Sequence, residues 1–259
     1  MFAELQDVKL YYEDEGEGEP VILIAGVGAN HRFWKSMVPL LKGYRVITLD
    51  NRGVGQTEYK GGVEVEIIAD DVIHLMDHLH IFKAHILGWS MGSLVAQSIA
   101  LRYAQRVQTL TLVSSYQFRP WRSAYFMYTV SKAAAEGQCS MDVMNILLNS
   151  FCFPESAFAE LGEKGMIMPV PKHPENPAEV HKQMIAMDNF DSTEKTKDIK
   201  APTLVVHGAM DIMVEPLKGR AVGSSIPGCT YIEIPGVGHT IAPDLYIEEF
   251  KKLLQNHKM

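Results

Sequence analysis

In AHILGWSMGSLVAQSIA, residues 84–100, a short apolar run ends at Gly88, a helical pattern begins after Gly92, and Ser90 stands midway between the two glycines. A serine that merely caps a helix needs no glycine on either side. Two glycines are required where the turn is so sharp that a Cβ on either side would collide with the strand or the helix. Strand, tight turn and helix in this order hold the serine in a strained backbone conformation, with its hydroxyl projecting from the carboxyl edge of a sheet. The N–H of Met91, in the first helical turn, is one of the donors that a helix leaves unpaired, and it favours an anion. Ser90 is therefore read as a nucleophile. So short a pattern recurs by chance, so the rest of the chain must supply what a nucleophilic serine needs.

On both sides of this turn, apolar runs rich in β-branched residues alternate with helical stretches. Val21 to Ala25, Arg45 to Leu49, Val107 to Val113, Thr203 to Val206 and Thr230 to Ile234 read as strands, and most are too uniformly apolar for a half-exposed sheet. Between Val63 and Leu79, Ile68, Val72, Leu75, Met76 and Leu79 recur at spacings of three and four, one apolar face of a helix. Ser93 to Tyr103 and Ile241 to Leu254 also read as helices, and Leu5 to Glu13 as an antiparallel edge strand. The alternation predicts an α/β fold: a mostly parallel, twisted sheet with helices on both faces and right-handed crossovers.

The alternation stops between Tyr116 and about Phe190. Phe118, Trp121, Tyr125, Phe126 and Tyr128 are followed by Met141, Met144, Met166, Met168, Met184 and Met187, with no strand pattern. Residues 117–190 are expected to form a small helical cap inserted into a core made of 1–116 and 191–259. The stretch MPVPKHPENP, Met168 to Pro177, reads as a loop or hinge. Most of the cap's aromatic and Met side chains are expected to pack its own interior. The remainder would offer an apolar, adaptable pocket.

A serine nucleophile needs a base, and the chain has ten histidines. His74 and His78 lie four apart with Asp77 between them, but Leu75 stands where a metalloprotease helix carries glutamate, so a solvated helix face is the reading. His85 begins its strand, the wrong end for a site. His207 ends a strand and is read as packed or supporting. His239, in PGVGHT, follows the last strand on a glycine-rich loop just before the final helix, where an imidazole can reach the serine. The third group must be a carboxylate that orients the imidazole and stabilises it when protonated. Asp211 in HGAMDIMVE follows a strand by a short loop, whereas the rivals Asp188, Asp191 and Asp244 do not, and Ser114-Ser115-Tyr116 offers no carboxylate. Besides Met91, a second N–H for an oxyanion is expected from Val27, in the AGVG turn of residues 25–28.

Composition limits the alternatives. Across 259 residues with 47% hydrophobic and 21% charged side chains, the formal net charge is −7 and no Lys/Arg run occurs. That argues against nucleic acid as a partner. No apolar stretch reaches the ~18 residues of a membrane span. The acidic start lacks a signal-peptide pattern. Cys139, Cys152 and Cys229 read as free thiols in a reducing, cytoplasmic setting.

With GWSMG at Ser90, GAMD at Asp211, GVGH at His239 and AGVG at Val27, the chain resembles the α/β-hydrolase fold family from end to end. The order Ser, Asp, His is the one the family uses. Its size and short cap are similar to small carboxylesterases, to 3-oxoadipate enol-lactonases and to the methyl-ester hydrolase of biotin synthesis. The resemblance implies a cofactor-independent serine esterase acting on a small-molecule ester of fairly apolar acyl group, with a homodimer left open. Enol-lactone or lactone hydrolysis is the alternative. A lyase, perhydrolase or ligand sensor on the same fold is the alternative of another class. LDNRGVGQT, residues 49–57, looks like a structural turn of the family. Many relatives carry a histidine where this chain has Ala25, which bears on the rigidity of the Val27 loop. Trp89 and Met213 are expected near the substrate. No cap residue specific to a substrate carboxylate is evident, although Arg119, Arg122 and Lys132 are available.

Overall fold

The apolar β-branched runs become the strands of one sheet in a computed structural model, which describes residues 1–159 and 176–258. Among the described residues the strands are β1 (Phe2–Glu4), β2 (Val8–Glu15), β3 (Glu19–Ile24), β4 (Tyr44–Leu49), β5 (Glu58–Tyr59), β6 (Ala84–Trp89), β7 (Val107–Val113), β8 (Thr203–Gly208) and β9 (Thr230–Ile234). Their order is β1-β2-β4-β3-β6-β7-β8-β9, with β5 paired to β2. From β4 to β9 every pairing is parallel, and β2 joins β4 antiparallel. The expected α/β architecture is present. The antiparallel segment starts later than Leu5 and runs to Glu15, and its outer edge is the short β1.

Side chains leave alternate faces of a strand, so β3 feeds two cores at once. Ile22 and Ile24 pack with helices α1 (Val65–His78) and α2 (Met91–Arg102) on one face. Val21 and Leu23 pack with Trp34, Met37 and the C-terminal helix on the other. All four side chains are fully buried. Each contributes roughly 1.5–3 kcal/mol by leaving water. Helix α2 is buried from Met91 through Ala100 on all sides, because it is clamped between the sheet and α1.

The final helix runs Ile247–Asn256 rather than from Ile241. Pro243 opens a separate 3-10 turn, Pro243–Leu245, and residues 239–242 stay extended or looped. Between β7 and β8 come α3 (Trp121–Ala135), α4 (Met141–Cys152) and α5 (Pro177–Asn189), with no strand among the described residues. Helix α3 packs along α5 and touches α4. Pro177, read as loop, is the first residue of α5, with Asn176 capping it through its side chain at Ala178 N. The remainder of the expected hinge lies almost wholly outside the described residues, as do Met166 and Met168.

The four other methionines divide simply: Met144, Met184 and Met187 are buried and Met141 packs against them. Trp121 and Tyr125, four apart on α3, are 77% and 79% exposed, so these two aromatics face outward. Phe126 stacks on Phe151. Cys139, Cys152 and Cys229 form no disulfide.

Candidate active site

Strand β3 is where the sheet order reverses, with β4 on one side and β6 on the other. Loops leaving the carboxyl ends of strands diverge at such a point and open a crevice. The segments that follow β3, β6, β7, β8 and β9 at this edge contain Val27, Ser90, Ser114, Asp211 and His239 in turn.

Ser90 has φ +53° and ψ −118°, a backbone conformation that side-chain-bearing residues rarely adopt. The glycines explain how the turn closes. A Cβ on Gly88 would lie 2.1 Å from the Gly92 carbonyl oxygen, and one on Gly92 would lie 2.1 Å from that of Ile24. Both flanks are therefore restricted to glycine by backbone contact. The Ser90 N–H donates to the Val113 carbonyl at 2.9 Å, and the Ser90 carbonyl accepts from the Ser93 amide and hydroxyl at 2.9 and 2.5 Å. These bonds hold the turn from beneath.

His239 reaches Ser90 and Asp211 together. Its Nε2 lies 2.9 Å from Ser90 Oγ and its Nδ1 2.8 Å from Asp211 Oδ2, and all three residues are buried. A carboxylate can only accept, so Nδ1 carries a proton and Nε2 is left to accept the serine's. Asp211 is well prepared for this. Its Oδ1 accepts from the Met213 and Val214 amides at 2.9 and 2.8 Å, and His207 Nε2 lies 3.2 Å from Oδ2. Burial pushes its acidity down, but the charge of His239 and the hydrogen bonds from His207 and His239 outweigh that and hold its pKa at about 2.

The rival carboxylates are occupied or remote. Asp188 lies 2.7 Å from Arg119, Asp191 accepts from Thr193 N, and Asp244 is exposed in its 3-10 turn. His74 is half-buried and His78 exposed on α1, while His85 is buried at the amino end of β6 against Thr109. Arg119, expected to be available, is buried instead. It is 1% exposed, ion-paired with Asp188 and hydrogen-bonded to the Met184 and Ala124 carbonyls, so it is not available to a substrate carboxylate. Lys132 pairs with Glu136 on the surface, and Arg122 lies 3.8 Å from Glu215.

The turn at residues 26–29 closes by a bond from the Ala29 N–H to the Gly26 carbonyl, with Gly28 at φ +63°. A Cβ on Gly26 would meet the Trp89 ring at 2.7 Å and Ser90 Cβ at 3.3 Å, so this turn lies directly against the serine. The chain lacks a histidine at Ala25, yet the Ala25 carbonyl is gripped by Asn51 Nδ2 at 3.1 Å. Asn51 belongs to LDNRGVGQT, so that structural turn props the loop. Its neighbour Arg52 is buried in a fork with Asp71, Nη2 to Oδ1 at 2.8 Å, and pairs with Asp7 at 2.6 Å.

Trp89 was expected beside the substrate. Its ring stacks on Phe33 at 4.3 Å and sits 5.5 Å from the His239 ring, and its Nε1 donates to the His239 carbonyl at 3.1 Å. Met213 is buried, and its amide serves Asp211. Sequence reasoning missed Ser114, whose hydroxyl donates to the same His239 carbonyl at 2.6 Å. It carries φ +52° at the end of β7. The serine pair that follows this strand is the signal the sequence offers for it.

A family model described as the alpha/beta hydrolase fold matches residues 19–244. The chain belongs to the α/β-hydrolase fold family. This α/β hydrolase is 30% identical over 246 residues to BpoC of Mycobacterium tuberculosis, named as a non-heme bromoperoxidase, covering 90% of this chain and 91% of that one. Among solved structures, a thermophilic esterase from Thermogutta terrifontis is 28% identical, with a TM-score of 0.78 over 97% of this chain and 95% of that one. The enol-lactonase of Burkholderia xenovorans is 24% identical with a TM-score of 0.84 over 99% of both chains, a likeness of fold. No helix among the described residues of this hydrolase is long and apolar enough to cross a membrane.

Proposed function

We propose that the protein is a serine hydrolase that cleaves carboxylic esters through an acyl-enzyme, with Ser90, His239 and Asp211 as its catalytic triad. The observation that carries this is His239 held within hydrogen-bond distance of both Ser90 Oγ and Asp211 Oδ2. Ser90 Oγ attacks the ester carbonyl while His239 Nε2 takes its proton. The carbonyl oxygen becomes an oxyanion beside the N–H groups of Val27 and Met91. Collapse expels the alcohol, which receives the proton from His239. Water then repeats the sequence on the acyl group, with His239 as base, and regenerates the serine. Nucleophile, base and charge stabilisation all come from protein groups, so this chemistry calls for no cofactor.

Residues 117–190 act as the cap over a core of 1–116 and 191–259. The support is that α3, α4 and α5 interrupt the sheet's alternation, while the Cys152 carbonyl at the end of α4 accepts from Thr240 N, next to His239. Trp89 and Met213 border the acyl site from below the cap. A cyclic ester is the alternative substrate, and the enol-lactonase likeness of fold keeps it in view.

The test is turnover of short p-nitrophenyl esters and of lactones of matched size, combined with covalent labelling by a fluorophosphonate. Label with turnover, both lost in Ser90→Ala, is the expected result. Label without turnover of either substrate points to a sensor. Full activity in Ser90→Ala removes the nucleophile assignment.

A further inference from the structure

The Val27 turn is held not only by the core but by a side chain of helix α5. Gln183 is fully buried. Its Oε1 accepts a 2.8 Å hydrogen bond from the Gly28 N–H, and its Nε2 donates a 2.7 Å bond to the Arg52 carbonyl. One side-chain amide thus joins the turn after β3 to the turn after β4. Burying such a group is costly unless its donor and acceptor are both engaged. Packing alone would be served as well by methionine, so the polar pair needs another reason.

The surroundings show how firmly α5 is seated at this point. Val180, three residues earlier, would lie 3.5 Å from a Cβ on Gly28. Glu179 packs on Gly53, hydrogen-bonds the Tyr59 hydroxyl and accepts from Lys182 Nζ at 2.8 Å. One helical turn therefore grips both loops, and Gln183 hydrogen-bonds the peptide next to the Val27 amide.

We propose that Gln183 is a positioning residue: by fixing the Val27–Gly28 peptide it holds the Val27 N–H where the oxyanion develops. Seating of α5 and readiness of the oxyanion donor then become one event, and the helix acts in catalysis without touching the substrate. The proposal rests on the ester-hydrolase reading above.

The experiment compares wild type, Gln183→Met and Gln183→Glu in the full-length protein, using p-nitrophenyl acetate and an alkyl trifluoromethyl ketone, whose serine adduct carries the oxyanion. Methionine keeps the length and removes both hydrogen bonds. A misplaced oxyanion donor costs about ten- to a hundredfold in kcat, with KM within about twofold and the ketone's Ki raised by the same factor as kcat falls. Glutamate keeps an acceptor for the Gly28 N–H and, protonated in this buried site, an O–H donor for the Arg52 carbonyl, and is expected to retain at least about fivefold more kcat than Gln183→Met. Unchanged kcat in folded Gln183→Met, or equal losses in the two variants, overturns the proposal. Should Gln183→Met fail to fold, Gln183→Glu decides alone: a kcat lowered about twofold to twentyfold, with KM within about twofold and the ketone's Ki raised by the same factor, supports the role, and wild-type kcat and Ki overturn it. An inactive, unlabelled wild type overturns the hydrolase reading instead, and the positioning role falls with it.

Discussion

Ser114 Oγ donates a 2.6 Å hydrogen bond to the carbonyl oxygen of His239, and Trp89 Nε1 adds a second to the same oxygen at 3.1 Å. The two donors come from the ends of β7 and β6, rigid parts of the sheet, and they grip the backbone of a glycine-rich loop. The imidazole is thereby placed by its main chain as well as by Asp211. Ser114→Ala and Trp89→Phe each remove one such bond, worth about 1 kcal/mol. Each is expected to lower kcat about threefold to tenfold with little change in KM, and the double variant more than either. Steady-state kinetics on one p-nitrophenyl ester measures this, and unaltered kcat in the double variant would show that the loop needs neither donor.

Ser90 sits at a positive φ that glycine accepts without strain. Ser90→Gly is therefore expected to abolish turnover and to stabilise the fold by about 1 kcal/mol, seen as a higher melting temperature. Ser90→Ala, which keeps a Cβ, should lose turnover without that gain. A lower melting point for Ser90→Gly than for Ser90→Ala contradicts the strain at this turn.

His239→Ala is expected to abolish ester turnover while leaving the melting transition within a few degrees of wild type, because the loop backbone stays anchored at Ser114 and Trp89. Loss of cooperative melting in this variant would make the imidazole a structural element.

Asp211 has its folded pKa depressed to about 2, against 3.8 for the unperturbed group. A depressed carboxylate contributes stability that is fully present above the unfolded value and is lost as pH falls from about 4 towards 2. The shift corresponds to roughly 2 kcal/mol. Thermal melts at stepped pH should show wild type losing that increment over this window and Asp211→Asn losing less. Parallel curves for the two proteins would place the acid sensitivity elsewhere.

Gly92→Ala puts a methyl group 2.1 Å from the Ile24 carbonyl oxygen, backbone that cannot swing aside. A destabilisation of roughly 3 kcal/mol or more is expected, read as a lower urea midpoint together with lost activity. A fully stable Gly92→Ala means that strand and helix separate more easily than their contact suggests.

Much of this was legible along the chain. Periodicity located α1 to within two residues at each end, because its apolar stripe is continuous and its core-facing side chains all lie on one face. The close contacts at Gly88 and Gly92 were readable because only absent side chains permit them. The start of the last helix was misread, since Ile241 continues its apolar pattern while Pro243 and the His239 loop break the backbone first. Arg119 looked free in a stretch without nearby carboxylates, and its partner Asp188 arrives from a helix almost seventy residues later.

By itself the sequence determined the alternation of strand and helix, the sharp turn at Ser90, and the placing of His239 and Asp211 in loops that follow strands. Those depend on local patterns and on residues that must follow strand ends. Tertiary structure alone decided what holds them: Ser114 and Trp89 on His239, His207 on Asp211, Asn51 and Gln183 on the Val27 turn. Hydrogen bonds between residues far apart in the chain leave no periodic trace, because their geometry exists only once the sheet has brought its loops to a common edge.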